Sequence, residues 1–226
     1  MSAAQGVWLR RTAIRLPEAR GPRFGTTGQG ARIHLLALGD SIIAGVGTVT
    51  VDRSLPVQFA QALARQGECC VRWQIDGENG ADIARLRQQL ALFDKEQKAD
   101  VILISIGVND VTGLSSTRQW RTQLNALVKE LNDLWPLAQV IFVGLPPMGL
   151  FPLPPQPLRF ALGMRASVLD SIAAEVISQQ ANMLHIPTDM NPLKQEFCED
   201  GFHPSATACG TWASELALRL NMPFKT

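Results

Sequence analysis

Three short polar motifs in this chain contain the residue types that acyl-transfer chemistry requires. In chain order they are Gly39-Asp40-Ser41, Gly107-Val108-Asn109-Asp110 and Asp200-Gly201-Phe202-His203. A serine hydroxyl becomes a useful nucleophile when a base takes its proton, and a carboxylate can orient that base. The order of the motifs therefore favours a serine hydrolase, with the nucleophile first and an Asp–His pair last.

Ser41 is the candidate nucleophile, although Gly-Asp-Ser by itself is equally typical of a plain turn. The chain has 3 histidines from which to choose a base. His34 enters a strand from the opposite end of the sheet, and His185 lies inside a predicted strand, so both are interpreted as structural. His203 follows Asp200 by three positions, a spacing that lets the carboxylate hold one ring nitrogen while the other faces a serine. By elimination, His203 is the candidate base.

Two further positions could stabilise a developing oxyanion. Asn109 directly follows a continuous apolar strand, and its side-chain amide could donate a hydrogen bond there. Gly80 follows another predicted strand and could offer its backbone N–H, as could Ser41. In isolation, Asn and Gly are equally typical of turns. Asp200 and His203 could instead bind a metal ion, but no third ligand stands at a matching spacing, so no metal is expected.

Apolar and helical segments alternate from residue 33 onward. Strands are predicted over 34–38, 71–75, 100–106, 139–143 and 183–186, and helices over 54–66, 82–97, 116–135, 158–180 and 205–220. Such alternation indicates a parallel sheet covered on both faces. We expect one α/β domain over 33–226, a three-layer α/β/α sandwich with about five parallel strands wound as in flavodoxin.

The segment 1–32 is a basic leader. It carries 6 arginines and 1 glutamate, whereas the whole chain has a net charge of only +1. We expect the leader to wrap the domain; contact with an anionic membrane surface is the alternative. The small net charge gives no reason to expect nucleic acid as a partner.

The compartment is suggested only by what the sequence lacks. No apolar run is long enough to span a membrane, and no signal peptide is evident. The 4 cysteines have no CxxC spacing and are interpreted as reduced thiols. These observations favour a cytoplasmic protein, with peripheral membrane contact as the alternative; they do not predict an oligomeric state.

The segment 145–157 interrupts the alternation with six prolines among Leu, Met and Phe. It could be a rigid surface connection. However, it leaves the carboxyl end of the fourth predicted strand, where α/β sheets bind ligands. We therefore expect an apolar wall beside the site. The candidate substrate-binding residues are Asp40, Leu145, Pro146, Met148 and Phe151.

Taken together, the motifs resemble those of the SGNH (GDSL) hydrolase family, whose named residues are Ser, Gly, Asn and His in this order. Ser41 in Gly-Asp-Ser-Ile-Ile-Ala-Gly matches the nucleophile block, and Asn109 in Gly-Val-Asn-Asp matches the asparagine block. Gly80 matches the glycine block, although Asp82 stands where Thr is frequent. An Asp-x-x-His block completes the series. The resemblance extends over about residues 33–220.

The resemblance implies a bacterial-type serine esterase that needs no cofactor. Ser41, His203 and Asp200 would form its catalytic triad, and the oxyanion would be held by the N–H groups of Ser41 and Gly80 and by the Asn109 amide. The apolar segment 145–160 favours small-molecule esters of short to medium acyl chain. Carbohydrate O-deacetylase, thioesterase and lysophospholipase activities remain alternatives with the same triad, and a non-catalytic binding module is the alternative outside the class.

Overall fold

The computed structural model describes residue 5 and residues 14–94, 96–188 and 196–220. A six-stranded sheet forms its centre. The strands are β1 (Phe24–Thr27), β2 (Arg32–Gly39), β3 (Cys70–Gly77), β4 (Val101–Ser105), β5 (Gln139–Val143) and β6 (Met183–Ile186). The helices are α1 (Leu55–Gly67), α2 (Ile83–Leu90), α3 (Val108–Thr112), α4 (Thr117–Leu134), α5 (Leu158–Ser178) and α6 (Ala206–Arg219).

The sheet order is β1-β3-β2-β4-β5-β6, and only β1 runs antiparallel to its neighbour. The parallel strands β2 to β6 follow the 2-1-3-4-5 order of flavodoxin-like sheets. Right-handed crossovers place α1 on one face and α2, α4 and α5 on the other. Helix α6 packs against α1. The predicted α/β class with helices on both faces is therefore confirmed.

Buried apolar residues explain why the sheet lies at the centre. Every residue of β4 is buried, as expected for a central parallel strand covered on both faces. Helix α4 begins with a capping box between Ser116 and Gln119. It is joined to α5 by Trp120, whose ring nitrogen donates to the carbonyl of Leu169 at 2.9 Å. The core thus fixes the strand ends from which the polar motifs project.

Three elements differ from the prediction: β1, α2 and the short helix α3, where no helix was predicted. Residues 24–27, predicted as leader, form β1 at the sheet edge; this strand has no apolar run, and its alternation is only between exposed and half-buried residues. Helix α2 ends at Leu90 instead of continuing to residue 97. The N–H groups of Leu92 and Phe93 donate to the carbonyls of Gln89 and Leu90, three residues back, at 2.9 and 3.1 Å, so the helix ends in tight turns while Phe93 still packs edge-on against Trp135.

The described part of the leader lies against the domain. Ala19 is buried, and its N–H donates to the carbonyl of Ala44 at 3.3 Å. The N–H of Gly47 donates to the carbonyl of Pro17, also at 3.3 Å. Residues 1–4 and 6–13 lie outside the described residues. Across the described ranges, no helix has the length and apolar character of a membrane span.

Gly39 lies in close contact with β4, and we predict that Gly39→Ala lowers the free energy of unfolding by at least about 2 kcal/mol. Its φ is +150°, and an added Cβ would lie 1.9 Å from the Ser105 carbonyl oxygen. Gly149→Ala is the control, because the added methyl would meet its nearest neighbour at 3.6 Å. Urea unfolding measures both variants; equal midpoints would contradict the close strand contact.

Candidate active site

Ser41, His203 and Asp200 form a continuous chain of hydrogen bonds at the carboxyl end of the sheet. His203 Nε2 lies 3.0 Å from Ser41 Oγ, and His203 Nδ1 lies 2.6 Å from Asp200 Oδ2. Ser41 and Asp200 are buried, at 7% and 5% exposure. A neutral imidazole with its proton on Nδ1 would donate to Asp200 and accept from the Ser41 hydroxyl. The structure thus brings together the three residues predicted as nucleophile, base and orienting carboxylate.

Asp200 is held in a local turn that keeps its carboxylate ionised. Its Oδ1 accepts the backbone N–H groups of Phe202 and His203, both at 3.0 Å, an arrangement typical of Asp in turns. Gly201 between them adopts a φ of +62°. Burial alone would raise the pKa of Asp200, but the hydrogen bonds from the His203 ring and from the two N–H groups hold that pKa below its usual range.

The nucleophile turn, residues 40–47, is tied to both neighbouring strands. The N–H of Asp40 donates to the Ser105 carbonyl at 3.0 Å, and the Gly39 carbonyl accepts the N–H of Glu78 at 3.0 Å. Within the turn, the Asp40 carbonyl accepts the N–H of Ala44 at 2.9 Å. The position of Ser41 is therefore set by the register of β2 with β3 and β4.

Asp40 itself lies beneath this turn rather than in a place where substrate could reach it. Its side chain was predicted to bind substrate, yet the residue is only 1% exposed. Oδ1 accepts the N–H of Ile42 at 3.0 Å, whereas the buried Oδ2 has no hydrogen-bond partner among the described residues. Burial raises the pKa of Asp40 to about 7, and the Ile42 N–H and the nearby His203 offset this only in part. Asp40 shapes the turn from within.

The two other predicted oxyanion groups lie in neighbouring segments that touch each other, the loop after β3 and the short helix α3. Gly80, in the loop after β3, has a φ of +85°, which favours glycine. Asn109 lies on α3, and its Nδ2 donates to the carbonyl of Ala81 at 2.8 Å. An amide nitrogen carries two hydrogens, so the second can serve a ligand oxygen. This contact fixes the Asn109 side chain and the Gly80 loop relative to each other.

Asp110 is a second buried carboxyl close to the site. Its oxygens accept the backbone N–H of Ile83 at 3.1 Å and the hydroxyl of Ser115 at 3.2 Å. Burial raises the pKa of Asp110 to about 6, with the hydrogen bonds acting against this. Because Ile83 begins α2, Asp110 joins the start of that helix to the Asn109 motif.

A small apolar cavity lies beside Ser41 and His203. Its volume is about 10 Å³, close to the room that one water molecule needs. Besides those two residues it is lined by Ile42, Val108, Pro146, Phe151, Phe202, Pro204 and Trp212. Pro146 and Phe151 thus lie where an apolar wall was predicted. Leu145 and Met148, predicted alongside them, are buried in the hydrophobic core.

Aromatic side chains connect this wall to the loop that carries Asp200 and His203. Phe151 packs edge-on against Phe202 with ring centroids 5.2 Å apart and against Phe197 at 5.1 Å. Phe202 in turn packs edge-on against His203 at 5.3 Å. Sequence reasoning missed Phe202 and Trp212. Phe202 lies within the Asp-x-x-His motif, which was a usable signal, whereas Trp212 sits at core spacing on α6.

The remaining histidines pair with carboxylates elsewhere. His34 Nδ1 lies 3.0 Å from Asp100 Oδ2, and His185 Nε2 lies 2.8 Å from Asp170 Oδ1. Asp170 Oδ1 also accepts the N–H of Leu145 at 2.8 Å and so anchors the start of the apolar wall. Over the described ranges, no group of three or more His, Cys, Asp and Glu side chains could hold a metal ion.

The sequence profile of the GDSL-like lipase/acylhydrolase family matches residues 37–208. This range includes all of the residues predicted for the triad and the oxyanion site. No curated protein gives a significant match to the chain.

Solved structures share the fold at low sequence identity. The lipase/acylhydrolase from Enterococcus faecalis is 22% identical with a TM-score of 0.64, covering 82% of this chain and 94% of that one. The lipase Lip_vut3 from a goat rumen metagenome is 18% identical with a TM-score of 0.68, covering 83% and 96%. The acetylxylan esterase Axe2 from Geobacillus stearothermophilus is 21% identical with a TM-score of 0.57, covering 85% and 94%.

The raised pKa of Asp40 predicts a specific dependence of stability on pH. Between about pH 4 and 7 the folded protein keeps a proton that the unfolded chain releases, so this carboxyl lowers stability as pH rises. Asp40→Asn removes the titration. When the pH is raised from 5 to 8, the unfolding free energy of wild type should fall by on the order of 2 kcal/mol relative to that of the variant.

Urea unfolding at both pH values measures this difference, with Asp52→Asn as the control because Asp52 is exposed. If Asp40→Asn and wild type change in parallel with pH, Asp40 does not titrate in the buried state described above.

Proposed function

Since the chain belongs to the GDSL-like lipase/acylhydrolase family and is a carboxylic ester hydrolase, we propose that it cleaves esters of short acyl chain through Ser41, His203 and Asp200. The observation that carries the proposal is the hydrogen-bonded chain from Ser41 Oγ through the His203 ring to Asp200. Its distances are those that proton transfer from a serine to an imidazole requires.

In the first half of the reaction, Ser41 Oγ attacks the ester carbonyl carbon while its proton passes to His203 Nε2. The imidazolium that forms is stabilised by the Asp200 carboxylate, which burial and its fixed hydrogen bonds hold in place. The new oxyanion accepts hydrogen bonds from the N–H groups of Ser41 and Gly80 and from Asn109 Nδ2.

The tetrahedral intermediate then collapses, and the proton on His203 passes to the departing alkoxide to give the alcohol. The acyl group remains on Ser41 as an ester. In the second half, His203 takes a proton from water, and the resulting hydroxide attacks the acyl carbonyl. Collapse of this second intermediate releases the carboxylic acid and restores the Ser41 hydroxyl.

The small cavity supports the restriction to short acyl groups. It borders both Ser41 and His203, and its remaining lining is apolar, which suits the alkyl part of an acyl group. A volume of about 10 Å³ leaves room for roughly one methyl-sized group. Acetyl esters therefore fit best, at the lower end of the short-to-medium range expected from the sequence.

Deacetylation of a carbohydrate is the second candidate. The same cavity favours it, because an acetylated sugar also presents a two-carbon acyl group, and Axe2, whose fold this chain shares, is an acetylxylan esterase. The apolar wall and the absence of tyrosine from the sequence favour a simpler alcohol. Release of acetate from acetylated xylo-oligosaccharides, compared with 4-nitrophenyl acetate, separates the two.

Ser41→Ala and His203→Ala each test the triad. Each variant should lose at least about 1000-fold in kcat/KM for 4-nitrophenyl acetate, because the nucleophile or its base is removed. A fluorophosphonate should label wild type on Ser41 and leave Ser41→Ala unlabelled. His34→Gln is the control, since His34 pairs with Asp100 away from the site. Wild-type turnover by either triad variant would overturn the assignment.

Phe151→Ala tests the acyl cavity, because shortening this buried side chain enlarges the space beside Ser41. The hexanoyl chain is four methylenes longer than the acetyl group, and each excluded methylene costs about 1–3 kcal/mol, so wild type should favour 4-nitrophenyl acetate over the hexanoate by at least about 1000-fold. The variant should narrow that ratio at least about 10-fold. Phe160→Ala is the control, because Phe160 is 65% exposed. If the ratio of acetate to hexanoate turnover is unchanged in Phe151→Ala, the acyl group does not bind in this cavity.

A further inference from the structure

We propose that Glu18 and Arg23, in the described part of the leader, are positioning residues that align the oxyanion site by bridging the Gly80 loop and the nucleophile turn. This inference rests on the proposed function, because the alignment matters only if Ser41 and Gly80 hold an oxyanion. In this proposal the leader contributes to the reaction, a role that the three sequence motifs do not indicate.

A continuous set of polar contacts runs between the two loops through the leader. Glu18 Oε1 accepts the backbone N–H of Asn79 at 3.1 Å. Glu18 Oε2 pairs with the Arg23 guanidinium. The guanidinium also donates through Nη1 to the carbonyl of Ala44 at 3.1 Å. Asn79 directly precedes Gly80, and Ala44 lies in the nucleophile turn three residues after Ser41, so each partner lies in a segment that carries a proposed oxyanion group.

The leader is seated firmly enough to transmit this alignment. The Arg23 carbonyl accepts the N–H of Ile75 in β3 at 2.7 Å, and the Arg20 carbonyl accepts the N–H of Val51 at 2.9 Å. The methyl group of Ala19 packs so close to Gly45 that a Cβ on that glycine would approach it to 2.7 Å. The backbone on both sides of the Glu18–Arg23 pair is therefore fixed to the domain.

The Gly80 loop is closed by the Ala81 N–H, which donates to the Glu78 carbonyl at 3.1 Å, and its outer side is held by Glu18. Asn79 and Gly80 are exposed, and a Cβ placed on Gly80 would meet nothing within 4 Å. On the inner side, Asn109 holds the Ala81 carbonyl. Glu18 holds the N–H of Asn79, so the peptide that carries the Gly80 N–H lies between two fixed points. Without Glu18, one of those points is lost and the direction of that N–H is less well defined.

Because the Glu18–Arg23 pair is partly exposed, an effect on the rate can be distinguished from an effect on global stability. The side chains of Arg23 and Glu18 are 35% and 37% exposed, and ion pairs with such exposure contribute little to global stability. Removal of Glu18 should therefore lower the rate of the chemical step while leaving the unfolding midpoint almost unchanged.

Glu18→Ala in the full chain tests the proposal. With 4-nitrophenyl acetate, kcat should fall about 10-fold with KM within twofold of wild type, less than the 100- to 1000-fold loss typical when an oxyanion donor is removed. Glu18→Gln keeps an acceptor for Asn79 but loses the charge that pairs with Arg23, so it should recover only part of the rate. Glu175→Ala breaks a comparably exposed ion pair with Arg121, between α4 and α5, and should leave kcat unchanged.

Hydrogen exchange gives a second measurement that needs no turnover. In Glu18→Ala, amides in the peptide that contains residues 78–82 should exchange at least about 5-fold faster, whereas those of β4 should not change. A kcat within twofold of wild type, or a loss of rate matched by a lower unfolding midpoint, would overturn the positioning role. If wild type cleaves no ester and no fluorophosphonate labels Ser41, the proposed function fails instead, whatever the exchange shows.

Discussion

The contact between Ser41 and His203 joins parts of the chain that are 162 residues apart, and it depends on both ends of the fold. On one side, Ser41 is placed by Gly39, which can approach β4 closely only because it has no side chain. On the other side, His203 is placed by the turn around Asp200 and by the packing of Phe202 against Phe151. A proton can move between the two residues only when both sets of contacts are formed together.

Three buried carboxyls near this contact have different protonation behaviour because their surroundings differ. Asp200 receives three hydrogen bonds and keeps a low pKa, so its charge is available to an imidazolium. Asp40 and Asp110 are buried with fewer compensating donors, and their pKa values are raised. When the surroundings of neighbouring carboxyls push their pKa values apart, that difference indicates which role each one has. Here Asp200 holds the His203 ring, and the other two organise the segments that carry Ser41 and Asn109.

Much of this arrangement could be predicted from the sequence, because its signals are local. The continuous apolar run of β4 fixed its central place, and the order of the motifs identified the family and the fold that the comparisons confirm. The proximity of Ser41, Asp200 and His203 followed from eliminating two other histidines. These signals need only neighbouring residues and the rule that parallel strands align their carboxyl ends.

The parts that were not predicted depend on distant contacts. β1 has no apolar alternation, and it is held by pairing with β3, which lies more than 40 residues later. The burial of Asp40 depends on how the nucleophile turn folds back over it, and residue type gives no sign of this. Trp212, on α6, lines the cavity together with Ser41 and His203, which its spacing in the sequence does not indicate. Such features require the assembled tertiary structure.

The antiparallel edge strand also has a consequence for how the chain can be divided. β1 pairs along β3, and Trp73 of β3 lies over Gly25. A shortened chain limited to residues 37–208, the range that matches the family profile, would begin inside β2 and lack β1 altogether. The eight residues of β3 would then form an open edge, which is a template for intermolecular strand pairing. The limits of the family match are therefore not the limits of a soluble folding unit.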